Sequence, residues 1–244
     1  MIKQFLKAFI YALIPKVCIY CERALSYDTK QPLCNKCISQ IKFINGLVCQ
    51  KCGLPLDTGG AHCYNCKKSQ RKFYINFVRS VVYYLEPIVT LIHEFKYRER
   101  TYLKSFLGGE LLVNWWQKNF NLFPNIDIVC CVPIHPIKHF LRGYNQAELL
   151  AVEFSNRLNL NFEPKLIKRK KFTSSQFKLS REERLQNVNN AFSINKKLIH
   201  KTVGKNILII DDVCTTAETI NQCAKPLKEA GAKNVFGLVL ARDV

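Results

Sequence analysis

The spacing of apolar positions changes along the chain. In residues 1–14 they recur at helical intervals: Ile2, Phe5, Leu6, Phe9, Ile10 and Leu13 share one face, and Lys3 and Lys7 lie off that stripe. This predicts an amphipathic helix packed on its own protein. From there to about residue 73 no period is sustained, and short turn-rich segments are expected. From residue 78 onward strand and helix patterns alternate. Residues 78–85, rich in β-branched and aromatic side chains, read as a strand. Pro87 then opens a helix with the apolar face Ile88, Leu91, Ile92 and Phe95, because proline suits a first helical position. A second helix is expected over residues 102–118, with Leu103, Phe106, Leu107, Leu111 and Trp115 inward. Residues 126–132 are a continuous apolar run, as in a parallel strand buried on both faces. Asn145 and Glu148 have capping-box spacing before a helix to Leu158, and Ser180 with Glu183 repeats that spacing before a shorter one. Residues 207–210 read as a buried strand. A loop follows, then a helix to about Ala230 with Gly231 as its C′ residue, then a strand over residues 235–241. Strands alternating with helices indicate an α/β fold with a parallel sheet.

The chain has 244 residues, 48% of them hydrophobic, which allows a sizeable core and excludes wholesale disorder. No apolar stretch reaches the about 18–20 residues that a spanning helix needs, so no membrane span is expected. Polar residues interrupt the apolar run of residues 1–14 and no small-residue cleavage site follows, so the segment does not read as a secretory signal. A cytoplasmic location follows as an expectation, and in a reducing compartment cysteines favour metal over disulfides.

Eight of the twelve cysteines fall in four C-x₂-C pairs: Cys18/Cys21, Cys34/Cys37, Cys49/Cys52 and Cys63/Cys66. Such a turn places two sulfurs on one side of a tight knuckle, and two knuckles complete a tetrahedral Cys₄ zinc site. Two structural zinc ions are therefore expected. Sequential pairing is simplest, and a crossed arrangement has compatible spacing. Gly53, directly after Cys52, suits a knuckle that needs positive φ. Four sulfurs close the coordination sphere, so neither His62 nor His93 is needed as a ligand. The expected division is residues 1–75, an N-terminal helix and double zinc ribbon, and residues 76–244, the α/β domain.

The densest chemistry lies in residues 207–219. Four apolar residues lead to Asp211 and Asp212, then to Thr215, Thr216, Ala217, Glu218 and Thr219 at a helix start. Ligands of open α/β sheets bind at the carboxyl ends of strands, and a helix N-terminus offers amides to a phosphate. The two carboxylates suit ribose hydroxyls and a bound Mg²⁺. An apolar strand ending in Asp-Asp also describes a Walker B strand, but the required phosphate loop, G-x-x-x-x-G-K-[ST], is missing. Cys214 and Cys223 read as small buried residues, since no paired base is visible.

The stretch resembles the type I phosphoribosyltransferase motif. More narrowly, the chain resembles the ComF family of competence-associated proteins through Lys96-Tyr97-Arg98, Val132-Pro133, Arg142-Gly143-Tyr144-Asn145-Gln146, Gln176, Leu179-Ser180, Arg184, Asn187 and Ala230-Gly231-Ala232. The resemblance covers nearly the full length. It implies a double zinc ribbon ahead of a type I phosphoribosyltransferase-like parallel sheet flanked by helices. It also implies a site for phosphoribosyl pyrophosphate with Mg²⁺. Asp211 and Asp212 would take the ribose hydroxyls and act as the catalytic pair, and residues 215–219 would cradle the 5′-phosphate. The loop of residues 133–146 would face the pyrophosphate, with Arg142 and Lys96 supplying charge and Gly143, Asn145 and Gln146 completing the segment. Ala217 stands where the family has a loop glycine and is strained if that turn needs positive φ. Pro226 falls inside the following helix.

The formal charge of +19 adds a second reading. Eight thiolates and two Zn²⁺ would lower it by four, so the chain stays strongly basic and attractive to polyanions. Lys165, Lys168, Arg169, Lys170 and Lys171 precede Phe172 and Phe177, and Tyr64, Phe73 and Tyr74 accompany the basic ribbon segment. Basic surfaces with aromatic faces bind single strands. Single-stranded DNA is therefore an expected partner. The family resemblance further implies a role in DNA uptake during natural transformation, beside a competence helicase or other uptake proteins, or as a non-catalytic DNA-binding module.

Overall fold

The computed structural model describes residues 15–68, 72–170 and 190–244. The expected helix of residues 1–14, the cap at Ser180, and Lys171, Phe172, Gln176, Phe177, Leu179, Glu183, Arg184 and Asn187 lie outside them.

The N-terminal part is two copies of one small design. In each, the first cysteine pair sits in a knuckle whose next residue takes a left-handed φ: Glu22 at 58° and Gly53 at 72°. Its amide returns to the first cysteine, Glu22 N to Cys18 O and Gly53 N to Cys49 O, both at 2.9 Å. The second pair opens a short helix, α1 (Asn35–Ile38) or α2 (Tyr64–Lys68). The expected positive φ at Gly53 is thus present, and Glu22 adopts the same conformation without being glycine.

The rest is a parallel sheet flanked by helices, as expected. The order β1 (Phe77–Tyr83), β6 (Asn234–Arg242), β5 (Asn206–Cys214), β2 (Ile128–Cys131) is parallel throughout. Alternation along β5 sends Ile207 and Ile209 to one apolar cluster and Leu208 and Ile210 to the other, and all four are fully buried. Each such side chain contributes about 1.5–3 kcal/mol on leaving water. One cluster joins the first ribbon (Cys18, Leu25, Leu33) to α3 (Ile88–Tyr97). The other joins the second ribbon (Cys49, Cys52, Cys63) to the last helix.

The ribbons also take up the outer edge of β1. Ile44 N donates to Val81 O, Val78 N to Lys51 O, and Tyr83 N to Lys42 O, at 2.8–2.9 Å. At the opposite edge the segment around Phe162 bonds to β2 through Val129.

Three elements differ from expectation. The segment taken as one helix over residues 102–118 is a 3₁₀ turn (Thr101–Leu103), the short α4 (Lys104–Phe106), a π-helical stretch (Leu107–Leu112) and α5 (Val113–Asn119). The π stretch holds Gly108 and Gly109, which let the helix α7 (Gln146–Leu158) approach; a Cβ on Gly108 would lie 3.0 Å from Leu150 O. Residues 133–146, expected as a loop, contain the short helix α6 (Pro136–Arg142). The basic run pairs as β3 (Ile167–Arg169) with β4 (Phe192–Ile194), an antiparallel ribbon not foreseen from the sequence.

Candidate functional site

The two Cys₄ groups are sequential: Cys18, Cys21, Cys34, Cys37, then Cys49, Cys52, Cys63, Cys66. Within each, the sulfurs lie within 4.8 Å of one another. The Cys21–Cys34 and Cys52–Cys63 sulfurs are 3.7 Å apart and Cys34–Cys37 3.5 Å. A tetrahedron with Zn–S arms of 2.3 Å has edges of about 3.8 Å, so both groups fit zinc. They are two structural zinc sites, and the crossed pairing is excluded.

The second site is a cavity of about 310 Å³ at the carboxyl ends of β5 and β6. β5 runs on past Ile210 to Cys214, because β6 pairs with it to Arg242. The carboxylates therefore belong to a paired strand. Asp212 follows Leu208 and Ile210 toward α3, whose last turn carries Lys96. Lys96 Nζ lies 2.8 Å from Asp212 Oδ2. Burial disfavours the ammonium, but Asp212 beside it more than offsets this and holds the Lys96 pKa above its usual range. Asp211 Oδ1 accepts from Asp212 N at 2.9 Å. Burial, and then the negative charge of Asp212, push the Asp211 pKa up to about 8.

After β5 the chain turns through residues 215–217 into α8 (Glu218–Glu229). Ala217 is the N-cap at φ 62°, ψ 10°, 4% exposed, so the turn does demand the left-handed conformation and alanine takes it under strain. Thr216 Oγ1 accepts from Glu218 N at 3.4 Å. Pro226 lies inside α8, as expected. Opposite, Asn145 caps α7 by accepting from Ala147 N at 3.2 Å, one residue short of a capping box, and its amide donates to Val132 O at 3.0 Å. Arg142 stacks on Tyr97, with Cζ 5.2 Å from the ring centre.

Lys96, Arg142, Asn145, Gln146, Asp211, Asp212 and all of residues 215–219 line this one cavity. Gly143, at φ 80°, ends α6 off the cavity wall. Tyr84, Arg169 and Asp243 line it too and were missed in the sequence. Arg169 was hidden in a basic run that reads as a solvated face; the β3–β4 pairing turns it inward over Phe192, at 5.3 Å. Three cations facing a carboxylate pair suit an anionic sugar phosphate with a divalent ion. Cys130, Cys131, Cys214 and Cys223 are buried, and burial raises the pKa of each, consistent with inert thiols. No helix of the described residues is long and apolar enough to cross a membrane.

The double zinc ribbon domain family matches residues 9–67. The chain is 32% identical over 232 residues to competence protein F of Haemophilus influenzae, covering 92% of this chain and 96% of that protein. It is 27% identical to the DNA utilization protein YhgH of Escherichia coli (95% and 99% covered) and 27% identical to competence protein ComFC of Bacillus subtilis (93% and 95%). Among solved structures, glutamine phosphoribosylpyrophosphate amidotransferase from B. subtilis, complexed with ADP and GMP, shows a partial likeness. Its TM-score is 0.34 at 19% identity, over 57% of this chain and 25% of that one.

Proposed function

Because the chain belongs to the competence protein F (ComF) family, we propose that its cavity binds phosphoribosyl pyrophosphate with Mg²⁺ and that the protein acts in DNA uptake. The observation that carries the reading is the meeting of Asp211, Asp212 and the 215–219 turn with Lys96, Arg142 and Arg169 around one cavity at the strand ends. Asp211 and Asp212 accept from the ribose hydroxyls. The turn and the start of α8 hold the 5′-phosphate. Arg142, with Lys96 behind Asp212, faces the pyrophosphate. Mg²⁺ supplies charge neutralisation of the pyrophosphate when bound, and the adjacent carboxylates are the groups that would hold it, directly or through water. In a transfer from this ligand the chain would contribute positioning and stabilisation of the departing pyrophosphate.

The relatives named for competence and for DNA utilization support a role with incoming DNA, and the charge of +19 supports contact with a polyanion. Calorimetry with phosphoribosyl pyrophosphate and Mg²⁺ tests the cavity. Saturable binding is expected for the wild type and none for Asp211→Ala, Asp212→Ala. Asp211→Asn, which leaves the Lys96–Asp212 pair intact, is expected to weaken binding at least tenfold. A wild type that does not bind at all would sink the ligand assignment.

A further inference from the structure

Arg242, the last residue of β6, is only 1% exposed. A guanidinium keeps its proton at any physiological pH, and a buried charge needs a partner. Among the described residues no carboxylate is ion-paired to it. Its Nη1 donates to Cys52 O at 2.6 Å and lies 3.2 Å from Cys214 Sγ, and its Nη2 lies 3.7 Å from Cys52 Sγ. Among the described residues its Nε finds no hydrogen-bond partner. Cys52 is a ligand of the second zinc site, and one Zn²⁺ with four thiolates carries two net negative charges. With zinc bound, that centre would supply the counter-charge.

The other end of the contact is the cavity. Cys214 is paired with Arg242 across β5 and β6 and directly precedes Thr215. Asp243 N donates to Cys214 O at 3.0 Å, and both Cys214 and Asp243 line the cavity. One buried side chain therefore touches a zinc ligand 190 residues away in sequence and the root of the phosphate turn.

We propose that Arg242 is a positioning residue that ties the second zinc centre to the 215–219 turn, so that zinc at Cys49, Cys52, Cys63 and Cys66 sets the order of that turn. The importance of this for ligand binding rests on the phosphoribosyl reading; the tie itself does not, since the order of the turn is measurable without ligand.

The test is hydrogen exchange over residues 211–219, with zinc release to a chelator, on the full chain. Cys63→Ser, Cys66→Ser empties the second site without touching Arg242. It is expected to hold one zinc and to exchange at least tenfold faster over 211–219 while α3 stays protected. Arg242→Met is expected to release one of its two zinc ions at least tenfold faster and to loosen the same segment. The two changes together should loosen it no further than either alone, because they break one connection. Arg242→Lys keeps the charge but not the fork; it should retain both zinc ions and still loosen the turn. Wild-type exchange over 211–219 in the serine variant, or additive effects in the combined variant, would overturn the proposal. Should the serine variant lose protection throughout, Arg242→Lys decides: wild-type exchange there overturns the tie, and selective loosening supports it. Failure of the wild type to bind phosphoribosyl pyrophosphate, with these exchange results intact, would remove the ligand reading and leave the tie standing.

Discussion

Asp211 and Ala217 are each held in a state that an isolated residue avoids. The folded pKa of Asp211, about 8, lies above the ordinary carboxylate value near 4. Folding therefore favours its protonated form: the associated stability is complete below about pH 4 and lost as pH rises through about 8. A ligand that needs the carboxylate must expel this proton. Binding of phosphoribosyl pyrophosphate with Mg²⁺ near pH 7 is expected to release about one proton from Asp211, read by calorimetry in buffers of different ionisation enthalpy, and the release should vanish in Asp211→Asn. Ala217 at φ 62° carries left-handed strain of about 1–2 kcal/mol, part of which glycine recovers. Ala217→Gly should raise the melting temperature by a few degrees; a fall would mean that the entropy of glycine in the unfolded chain outweighs the strain. Both residues were legible as members of a motif, and the sign of the Ala217 angle was the open point. Arg242 was not legible, because no local pattern sets it apart from the other basic residues of the chain. Only the tertiary approach of Cys52 makes it a buried one.

Elements with a strict local rule could be read in advance, and those decided by tertiary contact could not. The α3 stripe of Ile88, Leu91, Ile92 and Phe95 is buried as its spacing required. The β5 and β6 strands run beyond their apolar cores because each supplies the other with a partner. The π-helical stretch near residue 107 carries Gly108 and Gly109 against α7, a close approach that nothing local announces. Glycines test the same distinction. At Gly53 a Cβ would meet Val78 O at 2.5 Å under a φ of 72°, whereas at Gly46 the φ is 90° but nothing lies within 4 Å. Gly46→Ala is expected to lose only the backbone strain, about 1 kcal/mol. Gly53→Ala adds a clash with a strand backbone and should lose at least about 2 kcal/mol, with zinc binding weakened, in denaturant titrations. Equal losses at the two positions would show that the knuckle can move away from β1.

At the scale of the molecule, zinc ribbons and sheet share both apolar clusters, and the charge is spread over the whole chain. Binding of a single-stranded oligonucleotide is expected to fall linearly in log affinity with log salt, and to survive Asp211→Ala. Fluorescence anisotropy at low and moderate salt checks this, and no binding at low salt would reject the DNA partner. Charge was readable from composition alone, but the surface that would use it was not, since Arg169 of the basic run turns into the cavity. The backbone bonds joining Lys42, Ile44 and Lys51 to β1 close the outer edge of the sheet. An open strand edge is a template for the next molecule, and here the template is blocked by segments that zinc holds in shape. Metal starvation would therefore drive this protein to self-associate before its sheet came apart. A chelated sample should scatter light while much of its helix content persists.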